Sequence, residues 1–341
     1  MKTLSYTLLV IFGLLSCQTN KFKVDHVSTI DSTLQAKASS ILENKLSEIN
    51  ALSGQVIIME TQTGQIKALV GLERIDSAVY QPHQNTTIQQ PTGLMQPVSL
   101  LVALETGKIN LSDTVDVGNG IYKYKEDVIK DHNWHRGGYG EITLEQGIMV
   151  GSNIATVKTV EKVFGNNPQS YFDALTKASY GEPKVISGMD DLRPITFDKS
   201  NLAYSAIGYN QFITPIQTLA FYNAIANNGK MVQPQLHKDS VQIINPQIAR
   251  TETIKNIQQA LIKKFTEGLG KPANSDKTTV AGETGTICLN DSLYAAECCG
   301  YFPTNNPKYT ILITINKIGL PASGGLMAGD VFKKIADKIY Q

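Results

Sequence analysis

The chain has 341 residues, 42% of them hydrophobic and 18% charged, with a formal net charge of +1. That is the composition of an ordinary globular protein, with length for one large domain or two small ones and a sizeable core. A near-zero charge without any long Lys/Arg run excludes nucleic acid as an expected partner.

Met1-Lys2 gives a positive start, residues 7–15 are apolar but for Thr7, and Ser16-Cys17 follows. The run is too short to span a bilayer comfortably and reads as a signal-peptide core. Leu14-Leu15-Ser16-Cys17 resembles a bacterial lipobox, whose cysteine is lipidated and becomes the first residue of the mature chain. A cleavable signal with a chance cysteine, or a short membrane anchor, is the alternative. The expected organisation is a signal peptide over 1–16, a lipidated tether over 17–28 and one domain over 29–341. The expected place is the periplasmic face of a bacterial membrane, attached through Cys17. Gln18, where some bacteria use aspartate for inner-membrane retention, tilts the expectation towards the outer membrane.

Residues 29–49 carry a helical apolar stripe, Ile30, Leu34, Ile41, Leu42, Leu46 and Ile49. Two β-rich runs, 54–60 and 65–70, flank Thr61-Gln62-Thr63-Gly64 and predict a hairpin. The polar stretch 71–92 reads as a loop. Helical spacing returns from Gly93 to Gly107, then over 154–163, 215–226 and 252–266; Pro215 suits a first turn and Asn227-Asn228-Gly229 a stop. Strands are predicted at 278–280, 297–302 and 308–316, and a last helix at 328–340. Helices separated by strand pairs, without regular βαβ alternation, point to an α+β fold with an antiparallel sheet.

Outside the cytoplasm disulfides are permitted. A hairpin over 284–302, turning at Asn290-Asp291-Ser292, could bring Cys288 towards Cys298 or Cys299, and the odd count leaves a thiol over. Three cysteines crowded in this way lack the usual ligand spacing, so no metal or other cofactor is expected.

Three segments carry the chemistry: Pro91-Thr92-Gly93-Leu94-Met95-Gln96-Pro97, Gly151-Ser152-Asn153 and Glu283-Thr284-Gly285-Thr286. In order and spacing they resemble the S-x-x-K, S-x-N and K-T-G motifs of penicillin-binding transpeptidases. Supporting stretches are Val56–Glu60 with 63–68, 103–109, 206–208, 214–217, 224–229 and 300–309. The resemblance runs over roughly 52–340. It implies the β-lactamase/penicillin-binding-protein transpeptidase-like fold, a central antiparallel sheet flanked by helices on both faces. Within these 341 residues no glycosyltransferase or large pedestal domain is expected.

In that register the nucleophile is Gly93, the activating lysine is Gln96, the serine of the second motif is Gly151, and the lysine of the third is Glu283. Acyl transfer needs a hydroxyl and a base beside it, and residues three apart on a helix share a face. Glycine has no nucleophile, and an amide cannot replace the lysine's charge or basicity. No catalytic residue is expected. No serine has a lysine three residues on; Thr92 lies one position early, Ser99 sits in a core pattern, and Thr159 with Lys162 has the spacing mid-helix.

For binding, the resemblance points to Asn153, Glu283, Thr284, Gly285 and Thr286. Asn153 would hold a substrate amide, or equally cap the next helix. The family's lysine at 283 faces a ligand carboxylate, and glutamate turns that attraction, roughly 4 kcal/mol at contact and an effective dielectric of about 20, into a repulsion. Backbone donors of an oxyanion hole could survive. Asp131-His132-Asn133-Trp134-His135 could hold a metal or a base, or simply be a loop that packs the sole tryptophan. Tyr122, Tyr124, Trp134 and Tyr139 could rim a site or cover a core.

The readings are therefore a lipid-anchored pseudo-transpeptidase that scaffolds or regulates cell-envelope assembly through a protein partner, a sensor using Glu283 for a cationic group of a peptidoglycan stem peptide, and an acyl transferase with a relocated nucleophile.

Overall fold

The computed structural model describes residues 27–77, 79–83, 92–186, 195–197 and 199–341. Cys17 and the leader lie outside the described residues. The chain opens with α1 (Ser32–Glu48), β1 (Ser53–Glu60), β2 (Ile66–Asp76) and β3 (Val79–Pro82). A 3-10 turn (Thr92–Leu94) leads into α2 (Met95–Glu105), followed by β4 (Thr114–Gly118), β5 (Ile121–Tyr124), β6 (Asp127–Lys130) and β7 (Gly140–Thr143). Then come α3 (Leu144–Val150), α4 (Asn153–Phe164), α5 (Gln169–Lys177), β8 (Thr196–Phe197), α6 (Leu202–Ala206) and β9 (Gln211–Phe212). The last third holds α7 (Pro215–Ala226), β10 (Met231–Val232), β11 (Ile243–Asn245) and α8 (Thr251–Thr266). It closes with β12 (Ala281–Cys288), β13 (Leu293–Phe302), β14 (Tyr309–Ile318), a π turn (Gly325–Gly329) and α9 (Asp330–Ile339).

Six strands form one antiparallel sheet in the order β12-β13-β14-β1-β2-β3. Its central strand β1 is apolar at successive positions because both faces are covered. Val56 and Ile58 join Leu34, Leu42, Leu46, Phe332 and Ile335 under α1 and α9. Ile57 and Met59 join the opposite core with α2, α5, α7 and α8. Gly54 permits α1 to lie close, since a Cβ there would meet the Leu46 and Leu42 methyls at 2.8 and 2.9 Å. Asp31 starts that helix by accepting from Thr33 N and Leu34 N at 2.9 and 3.0 Å. Helix α7 is buried on every side, and its entry carries the Thr214/Gln217 capping box.

The expected architecture is present, with local differences. The stretch read as a loop from 71 contributes the end of β2 and all of β3, because pairing with β1 extends the strand beyond its apolar part. Residues 278–280 are not strand; the third motif itself forms the edge strand, β12. The β12–β13 hairpin is real, but it does not unite the cysteines. Cys288 pairs with Tyr294, whereas Cys298 and Cys299 stand opposite Thr284 and Glu283, most of a strand length away. All three thiols are free.

Candidate functional site

The three motifs converge at β12. The turn Thr92–Leu94 is pinned from behind by Tyr222, whose buried hydroxyl donates to Leu94 O at 2.8 Å. That places Gly93 against the strand: a Cβ on it would lie 3.3 Å from both Gly285 Cα and Thr284 O. One turn on, Gln96 is buried at the start of α2 and donates to Asn153 Oδ1 at 2.7 Å, with a longer contact to Gly151 O at 3.4 Å. Asn153 in turn donates to Lys130 O at 3.0 Å. Its amide ties α2, the second motif and β6 together.

The helix after the second motif is capped by Ser152, not by Asn153. Ser152 Oγ accepts from Ala155 N at 3.0 Å and donates to Asp131 Oδ2 at 2.7 Å, while Asp131 Oδ1 accepts from Ile154 N at 3.0 Å. Burial raises the Asp131 carboxyl above the usual range, and these donors oppose the rise. Gly151 ends α3 in the left-handed region at φ 62°, which glycine adopts without steric cost.

The sequence reading missed Lys264. It lies on α8 with Ile254, Ile257, Leu261 and Phe265 on the buried face. A lysine on that apolar stripe was the available signal. Its Nζ donates to Ile148 O at 3.1 Å and pairs with Glu283 Oε1 at 2.6 Å; both side chains are almost wholly buried. The same Nζ lies 3.2 Å from where a Cβ on Gly151 would stand. The buried space between the positions of the second and third motifs thus holds the Lys264 side chain, delivered from α8.

Glu283 is neutralised on one oxygen. Oε1 also accepts from Thr284 N at 2.8 Å, and Oε2 is buried without a hydrogen-bond partner among the described residues. Burial raises its carboxyl above the ordinary value, against the lowering effects of Lys264 and the Thr284 amide. Repulsion of a ligand carboxylate by Glu283 is therefore offset by the ammonium at its side.

Along β12, Glu283, Gly285 and Ile287 are buried while Thr284 and Thr286 are partly or fully exposed, as strand alternation requires. Thr286 Oγ1 accepts from Gly324 N at 2.8 Å, fixing the turn before α9 against the strand. The hydroxyls of Ser99 and Thr159 are engaged elsewhere. Ser99 donates to Ala206 O at 2.7 Å and meets Tyr171 in the core, and Thr159 donates to Ala155 O at 2.7 Å within α4.

The loop 131–139 borders this region. His132 meets the Tyr139 hydroxyl at 3.1 Å; burial and then the nearby Lys264 charge lower its pKa. Trp134 is not packed away but 43% exposed, with Lys130 Nζ 4.2 Å from its ring centre and His135 edge-on. Tyr124 is buried, and Tyr122 donates to Glu161 at 3.2 Å. Among the described residues no group of three or more potential metal ligands is assembled.

At positions 93 and 96 the arrangement offers neither a hydroxyl nor an amine. Residues 54–337 match the family model described as the penicillin binding protein transpeptidase domain. The "Probable peptidoglycan D,D-transpeptidase PenA" of Neisseria flavescens is 24% identical over 342 residues, covering 91% of this chain and 81% of that protein. Penicillin-binding protein PbpB of Mycobacterium tuberculosis is 23% identical over 377 residues, covering 94% of this chain but 53% of its own length. The apo transpeptidase domain of Burkholderia pseudomallei penicillin-binding protein 3 superimposes with a TM-score of 0.79 at 21% identity, covering 92% of this chain and 96% of that one.

Proposed function

The chain belongs to the penicillin-binding protein transpeptidase family, and we propose that it is a catalytically degenerate member. It serves peptidoglycan and cell-envelope assembly as a scaffold or regulator, held on the periplasmic face of a bacterial membrane by a lipid on Cys17. The carrying observation is the pocket floor itself. Where the family's chemistry calls for a hydroxyl and two lysines, this chain has Gly93, a Gln96–Asn153 hydrogen bond and a Lys264–Glu283 ion pair. Gln96 and one oxygen of Glu283 are thereby engaged by neighbouring side chains, as expected of positions refitted for packing. The remaining backbone of β12 can still position a peptide, but donors without a nucleophile form no acyl-enzyme.

The stem-peptide sensor reading asks Glu283 to receive a cationic group. In this geometry Lys264 already fills that place, so a ligand would have to displace it, and the scaffold reading is preferred. The test is incubation of the chain with a fluorescent penicillin, read by intact mass beside a catalytic relative. No adduct is expected at any concentration that labels the relative fully. A single acyl adduct would overturn the reading and, once mapped, name a relocated nucleophile.

A further inference from the structure

Val27 is tied to one end of the central sheet. Lys238 N donates to Val27 O at 2.8 Å, and Thr29 N donates to Leu236 O at 2.9 Å. The chain therefore enters beside the segment joining β10 to β11. Gln233 holds that segment together: its amide donates to Gln242 O at 2.8 Å, and its side chain donates to Val185 O. Around these bonds four β-branched apolar side chains face solvent, Val27, Val185, Val241 and Ile243, at 59, 55, 45 and 56% exposure. Lys184 and Lys238 are exposed beside them.

We propose that this end of the domain is a membrane-docking face, with the four apolar side chains entering the boundary between headgroups and acyl chains and the two lysines lying at headgroup level. The occupant follows from the chain. Ten residues take Cys17 to Val27, a reach of at most about 35 Å at full extension. A lipid on Cys17 therefore keeps this end beside the bilayer; the inference rests on that anchoring reading. Ile318 and Leu320 are also exposed, but Ile318 pairs with Leu293 at the other end of the sheet. The Thr61–Gln65 turn contacts Gln235 at the docking end, and the register Glu60–Tyr309–Phe302 puts the start of β12 there too. β12 then runs from Ala281 to Cys288, away from the membrane. The pocket edge is left open to a partner approaching from the aqueous side.

The test uses the full chain expressed with its leader, its Cys17 lipid checked by intact mass, in vesicles of phosphatidylethanolamine and phosphatidylglycerol. An environment-sensitive fluorophore is placed on Ile243→Cys in a Cys288→Ser background, and separately on the native, exposed Cys288; Cys298 and Cys299 are buried. The label at 243 is expected to shift to the blue and to be quenched several-fold by a lipid-borne quencher, with no change at 288. A lipidated chain whose label at 243 stays wet, as a face reserved for a protein would, overturns the proposal, as does equal quenching at both sites. A mass without lipid defeats the anchoring reading instead. The same measurement on that unlipidated chain with vesicles then decides the face: quenching confined to 243 supports it, and a wet label overturns it.

Discussion

At position 283 a carboxylate stands 2.6 Å from Lys264 Nζ, both sealed from solvent. Removing one partner of such a pair strands the other, so Lys264→Met is expected to destabilise the fold by about 3–5 kcal/mol in urea unfolding. The double change Lys264→Met with Glu283→Leu should cost much less, because it strands no charge. Glu283→Lys would set two ammonium groups together and should destabilise unless Lys264 is replaced as well. The pH dependence has a definite sign. Burial raises Glu283 above 4.5 in the fold, so the folded state binds more protons than the unfolded chain between that value and the raised one. Its contribution is therefore greatest below 4.5 and is lost as pH rises through the folded value. Urea titrations from pH 4 upward should show wild type losing stability relative to Glu283→Gln across that window. Neither sequence neighbour of Lys264 announces its role, since 19 positions separate it from Glu283.

At the scale of elements, the site is a meeting of α2, α4, α8 and β12. Ser152 joins two of the connections by capping α4 and holding Asp131. Ser152→Ala should cost about 1–2 kcal/mol in thermal or urea unfolding, the range of a lost cap. The turn at Gly93 is close to β12 but not in the left-handed region, so Gly93→Ser needs its neighbours to yield only a few tenths of an ångström. That variant should fold and still give no penicillin adduct by intact mass, because Gln96 supplies no base; labelling of the single variant would show that a base at position 96 is not required. The helices at 215–226 and 252–266 were legible because periodicity and their end signals agree. β3 was not, because Val79–Pro82 has no apolar alternation and owes its form to pairing with β2.

For the whole molecule, two cores on either face of one antiparallel sheet support the edge strand β12. If Cys17 carries the anchor, Cys17→Ser should move the protein from the membrane to the soluble fraction without changing its unfolding midpoint; retention on the membrane would assign the attachment to the leader or to the docking face. The α+β class, the order of the motif segments and the glycine at position 93 were all legible along the chain. Periodicity is local, and the identity of a residue at a motif position is fixed by the chain alone. Tertiary structure alone decided that Ser152 caps α4, that the cysteines stand apart, and that Lys264 meets Glu283. Each of these depends on strand register or on helices crossing, where residues distant along the chain come within a few ångströms and a buried charge must find its partner.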